Sequence, residues 1–217
     1  MGNGKNLELR KAFLESLLTG NKRLAITIIK DAIDSGVDLM DIYIDVFQEA
    51  MLEVGNLWHQ DIITVDKEHS CTAITQMVMT ELYPIIFSTQ RKGRSILACC
   101  VGDELHEMGV RMLCDVFELK GWDSIYIGAS VPSENVTNAI IEHHPDLIAL
   151  SVTMPHHLKT CAELIETIRT NPFTRYVKIA VGGRAVNLVK KIDKVWDIDV
   201  VTKTAPELVL WAEKEFK

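Results

Sequence analysis

The stretch Arg91-Lys92-Gly93-Arg94-Ser95-Ile96-Leu97-Ala98-Cys99-Cys100-Val101 marks the point where a charged, glycine-containing segment gives way to an unbroken apolar run. An apolar run of this length, without alternation, reads as a strand covered on both faces. Comparable runs follow at Ser124–Ile127, Leu147–Val152 and Val177–Val181, with a weaker one at Ile198–Thr202. Helical patterns separate or follow them at about His106–Lys120, Ser133–His143, His157–Thr170, Ala185–Lys191 and Ala205–Phe216. This alternation predicts right-handed crossovers, and therefore a five-stranded parallel sheet with helices on both faces over residues 95–217. Ligands of such sheets sit at the carboxyl ends of the strands.

Before Arg91 the period changes. Apolar residues recur at helical spacing, as in Leu24, Ala25, Ile28, Ile29, Ala32 and Ile33, with a denser run at Leu39, Ile42, Ile44, Val46 and Phe47. Four helices fit, broken at Gly20-Asn21, at Gly36-Val37-Asp38 and between Gly55 and Asp66, with Asp38 and Asp66 as N-caps. A four-helix bundle over residues 1–90 is the simplest packing, and Arg91–Arg94 reads as the linker.

The 217 residues are 47% hydrophobic, ample for packed cores, and the net charge of −7 comes from scattered charges of both signs. Without a basic stripe to neutralise phosphates, direct nucleic-acid binding is not expected. Met1–Arg10 is polar, and no apolar run reaches the roughly 18 residues of a membrane span, so the expectation is a cytoplasmic protein with no membrane contact. Five cysteines, odd in number and without CxxC spacing, read as small core residues.

Three of the predicted strands are followed by loops of unusual composition: Gly102-Asp103-Glu104-Leu105-His106-Glu107-Met108-Gly109, Ser151-Val152-Thr153, and Gly182-Gly183-Arg184. Individually each is bland, since a histidine at a strand-to-helix junction is ordinarily solvated and Gly-Gly ordinarily makes a turn. Their spacing is more specific, with 41 residues between Gly109 and Ser151 and 28 between Thr153 and Gly182. Together they resemble the pattern Asp-x-His-x-x-Gly, Ser-x-Leu, Gly-Gly of the cobalamin-binding family that includes methionine synthase, corrinoid methyltransferase proteins, mutases and cobalamin-dependent regulators.

That resemblance implies a Rossmann-like (flavodoxin-like) domain with His106 as the lower ligand to cobalt. Glu104 would bond the other imidazole nitrogen and fix its tautomer. Leu105 and Gly109 belong to the same cofactor-binding segment. The Ser151 and Thr153 hydroxyls would reach the buried base or ribose, and Gly182 and Gly183 would admit an extended ligand group against the backbone. Two departures stand out: Glu at 104 where the family has Asp, and Thr at 153 where it has Leu.

In the helical half, Trp58-His59 is followed by Glu68-His69, with nine residues between Trp58 and Glu68. This resembles the signature of CarH-type photoreceptors, which use adenosylcobalamin as chromophore. By that resemblance Trp58 packs over the adenosyl group, Val65 lines its pocket, Glu68 hydrogen-bonds it and His69 supports that wall. Light then releases the adenosyl group, and His59 is the candidate to bind the exposed upper face. Such regulators carry a DNA-binding domain ahead of the bundle, and no such segment precedes the bundle here. The expected protein is therefore a sensor rather than an enzyme, acting as a homo-oligomer and through a protein effector such as a kinase or transcription regulator. The alternative is the corrinoid, methyl-carrying subunit of a methyltransferase system. That group usually continues its motif as Asp-Ile-Gly-Lys-Asn, where this chain has Glu107-Met108-Gly109-Val110-Arg111. Neither His143-His144 nor His156-His157 is read as a metal site, because no cysteine pair accompanies them.

Overall fold

The computed structural model describes residues 6–189 and 192–217. The chain divides into two units, one ending at Ser88 and the other beginning at Thr89.

The first unit is helical: α1 (Leu7–Leu18), α2 (Lys22–Asp34), α3 (Leu39–Asp41), a π-helical stretch Ile42–Gln48, α4 (Glu49–His59), α5 (Val65–Thr80) and α6 (Tyr83–Ile86). The junctions at Ile42 and Gln48 keep helical dihedrals, so α3, the π stretch and α4 run on as one rod. Its apolar residues Ile42, Tyr43, Val46 and Phe47 are all buried, which accounts for the dense apolar run there. Phe47 meets Phe13 at 5.1 Å and Tyr43 at 5.3 Å between ring centroids. Burying each such side chain contributes on the order of 1.5–3 kcal/mol.

Asn21 caps α2 by accepting from the Leu24 amide, and Asp38 caps α3 by accepting from Met40. Two details of the sequence reading are corrected. Gly55 lies inside α4, which runs on to His59, so the break is the short turn after it. Asp66 is not a cap: Thr64 holds the extended N-cap position, and Asp66 sits in the first turn, where a carboxylate favours the helix dipole.

The second unit contains β1 (Ser95–Cys100), α7 (Met108–Leu119), β2 (Asp123–Gly128), α8 (Ser133–His143), β3 (Leu147–Ser151), α9 (Leu158–Thr170), β4 (Lys178–Gly182), β5 (Val200–Val201) and α10 (Ala205–Glu215). The strands pair in parallel in the order β2-β1-β3-β4-β5. Leu97 stands level with Ile125 on one side and Ile148 on the other, in a core shared with Cys99, Leu150, Ile179 and Val181. All five cysteines are buried and free, and burial pushes the Cys114 and Cys161 thiols up to about 12.

Buried or half-buried carboxylates tie down the strand ends. Asp146 accepts from the Ser95 amide at 2.9 Å, and Asp199 accepts from the Ile179 amide at 2.8 Å and from Arg169 at 2.6 Å. The helix expected over Ala185–Lys191 is instead a single 3-10 turn, Val186–Leu188; Lys190 and Lys191 lie outside the described residues. The helix expected from His106 begins at Met108, which leaves His106 in the loop. Strand order reverses between β1 and β3, so the loops leaving these two strands diverge and open a crevice at their carboxyl ends.

Candidate functional site

The loop leaving β1 is organised around a carboxylate. Glu104 is 2% exposed, whereas the His106 side chain two residues on is 58% exposed. Glu104 Oε1 accepts from both the backbone N–H and the Nδ1–H of His106, the former at 3.1 Å. Its other oxygen accepts from the Met154 amide at 3.1 Å, across to the loop after β3. Burial pushes this carboxyl up, but the bonds and charge from His106 and the Met154 amide outweigh it, and the group is held below the usual glutamate value. A carboxylate at Nδ1 fixes the proton there and leaves the Nε2 lone pair for an incoming ligand.

The other predicted residues of this unit fall at the same sheet edge. Leu105 and Gly109 are exposed, the first in the loop and the second in the opening turn of α7. Ser151 ends β3 and Thr153 follows it, both half-buried. Gly182 ends β4 level with Ser151. Gly183 has φ +102°, and a Cβ there would stand 2.4 Å from the Val152 carbonyl oxygen, so only glycine lets β4 turn away against the β3 exit. Arg184 is exposed beside it.

In the helical unit, Trp58 and His59 occupy the last turn of α4, with their rings stacked at 5.1 Å. The turn after them is closed by the Asp61 amide to the Trp58 carbonyl and the Ile62 amide to the Leu57 carbonyl, with Asp61 in the left-handed region. This is a Schellman stop, with Asp in the place usually taken by glycine. Val65, Glu68 and His69 lie in the first turns of α5, so all five residues gather at one end of the α4–α5 hairpin. Glu68 bonds His69 Nδ1 at 2.7 Å and accepts from Thr72 at 2.9 Å. Trp58 and Val65 are exposed although apolar, a surface with little internal reason to face water.

The B12 binding domain family matches residues 94–205, more than half of the chain. The chain belongs to that family. A second B12 binding domain family matches residues 9–83 of this B12-binding protein. It is 23% identical over 192 residues to the HTH-type transcriptional repressor CarH of Myxococcus xanthus, covering 85% of the chain and 62% of that protein's length. It is 22% identical to monomethylamine corrinoid protein 1 of Methanosarcina acetivorans, over 93% of the chain and 94% of that protein. The solved monomethylamine corrinoid protein of Methanosarcina barkeri superposes with a TM-score of 0.80 at 18% identity, covering 95% of this chain and 98% of the other. At that identity the likeness speaks for the fold: a helical bundle followed by a five-stranded, parallel Rossmann-like sheet.

The donor set of this B12-binding protein fits a cobalamin, because Glu104 leaves His106 oriented, exposed and with one lone pair uncommitted. Sequence reasoning did not anticipate three groups around it. The Met154 amide and His157 both approach Glu104 from the loop after β3, and Tyr126 donates to Glu107 at 2.7 Å from β2. Their positions at or near the carboxyl ends of neighbouring strands were the available signal.

Proposed function

We propose that this protein binds adenosylcobalamin and serves as a light-responsive signalling module without catalytic turnover. The observation that carries the reading is the gathering of Trp58, His59, Val65, Glu68 and His69 at one end of a helical hairpin, in a chain whose other unit presents His106. Adenosylcobalamin, when bound, supplies a cobalt–carbon bond that visible light cleaves. His106 would hold the cobalt, with Glu104 fixing its tautomer. Leu105 and Gly109 border the corrin, and Ser151, Thr153, Gly182 and Gly183 accommodate the extended nucleotide group.

Trp58, Val65, Glu68 and His69 would line the adenosyl group, and His59 would be free to serve as a cobalt ligand once that group has gone. The bundle is then biased between two states by loss of a ligand and gain of another. Its output is a change in self-association or in contact with a protein effector. Protein reconstituted in darkness should change its absorption and its elution from a sizing column after illumination. An unchanged spectrum overturns the sensor reading while leaving cobalamin binding intact.

A second reading, the methyl-carrying corrinoid subunit of a methyltransferase system, is favoured by the near-complete mutual coverage with a monomethylamine corrinoid protein. Transfer of a methyl group to the bound cofactor by a partner enzyme, with no response to light, would establish it instead.

A further inference from the structure

One cluster at the β1–β3 crevice has no part in the reading above. Asp103, on the loop after β1, and His156 and His157, after β3, each offer a ligand atom, and these atoms lie within 4.8 Å of one another. The sequence shows only two adjacent histidines. Parallel pairing of β1 with β3 brings a carboxylate to them from 54 residues away.

His157 poses a problem of tautomers. Its side chain is 7% exposed, Nε2 contacts the Asp103 carboxylate, and Nδ1 is buried without a hydrogen bond, 3.5 Å from Glu104 Oε2. A neutral imidazole carries one proton, so whichever nitrogen holds it, the other turns a lone pair toward a carboxylate. A second proton would resolve this, and so would a cation at Nε2 with Nδ1–H directed at Glu104. The second solution draws on His156, whose ring lies 4.0 Å from that of His157 and whose presence the first leaves without a role.

The geometry points to a divalent transition-metal site, suited to zinc, formed by Asp103, His156 and His157. Two histidines and one carboxylate are a sufficient protein set for a tetrahedral ion with its fourth position open to water. Bonds of about 2.0–2.1 Å to nitrogen and oxygen place ligand atoms roughly 3.3 Å apart, which the exposed Asp103 and His156 can reach by small rotations. His157 is the fixed member. Gly102, at φ +76°, lets the ring lie against the loop, where a Cβ would stand 2.9 Å from its Cδ2. Glu104 then stands behind a metal-bound histidine, the arrangement that orients such ligands, while its other oxygen orients His106. The two histidines are thereby joined through one carboxylate.

The test is calorimetric titration of the untagged, corrinoid-free full chain with Zn²⁺, repeated with Co²⁺ while the visible absorption is followed. One saturable equivalent is expected, with the absorption of tetrahedral cobalt. Asp103→Asn and His156→Ala should each weaken it at least tenfold while leaving the melting temperature unchanged. His143→Ala should leave the titration as it was. Absence of saturable binding, as an imidazolium held between two carboxylates would give, overturns the proposal. So does binding insensitive to both substitutions. Because no corrinoid is present, the outcome is separate from that of the cobalamin reading.

Discussion

The loop leaving β1 and the end of the α4–α5 hairpin both present histidine and glutamate, but they hold them differently. Glu104 is buried and is reached by an amide 50 residues away in sequence, so His106 is oriented by the fold itself. Among the described residues, the Glu68 carboxylate bonds His69 and Thr72, one and four residues away on its own helix, and the Trp58–His59 stack is equally local. A group fixed by long-range contacts stays in position without a ligand. A group fixed by its helical neighbours moves when the helix moves. That is the division expected if, as proposed, the first holds a cofactor and the second responds to it.

The comparison breaks most severely at the sheet edge. Gly183→Ala combines a left-handed backbone with a collision against Val152, and should cost about 3 kcal/mol or more, or prevent folding, as read by urea denaturation and soluble yield. Next, Glu104→Leu removes the acceptor for two backbone amides and the His106 ring. It should lower stability by about 1–3 kcal/mol and abolish the spectrum of histidine-ligated cobalamin. If His106 still binds cobalt normally in that variant, the supposed preorganisation is wrong.

Acid provides a finer test. Burial pushes the Asp199 carboxyl up, but the Ile179 amide, Lys178 and Arg169 more than offset this and hold it below its ordinary value of 3.8. A depressed carboxyl stabilises the fold fully above its unfolded value, and the contribution drains away as pH falls from there through the folded-state value. Asp199→Asn should therefore lower the urea midpoint at pH 7, by the equivalent of about 1–2 kcal/mol, with the gap to the parent protein narrowing below pH 4. A gap that widens in acid would contradict the assignment.

The smallest stability effects belong to the hairpin. His59→Ala and Glu68→Gln alter exposed or locally bonded groups and should shift stability by less than about 1 kcal/mol. They should nevertheless change the illuminated spectrum of the cobalamin-loaded protein. Large thermal destabilisation by either would place these residues with the core rather than with a ligand.

How much of this was legible depended on how local the cause was. Four of the strands could be read from compact, largely apolar runs, the fifth only from the weaker stretch Ile198–Thr202 that Asp199 interrupts, and Ser133–His143 was bounded correctly by its own period. The break read between Gly55 and Asp66 contains the real turn but is too wide, because the actual stop is a left-handed Asp61 closed by amide bonds invisible in composition. Of the helix read over Ala185–Lys191, the described residues form a 3-10 turn at Val186–Leu188, with the Ala185 amide bonded to the Val152 carbonyl, a contact outside the reach of local periodicity. In the site, the Glu104–His106 pairing was implied by the family resemblance, and the bond is made within one loop. The approach of Asp103 to His157 needed the sheet order, which no local pattern carries.

The π-helical stretch Ile42–Gln48 has a geometric consequence for the hairpin beyond it. Each i→i+5 turn takes up one residue more than an α-helical turn, and one residue corresponds to about 100° of α-helical rotation. The azimuth at which Trp58 and His59 leave the rod is thus set more than ten residues upstream, by a winding count in the buried segment around Tyr43 and Phe47. A deletion of one residue there would turn the aromatic end of α4 without touching any residue that faces it.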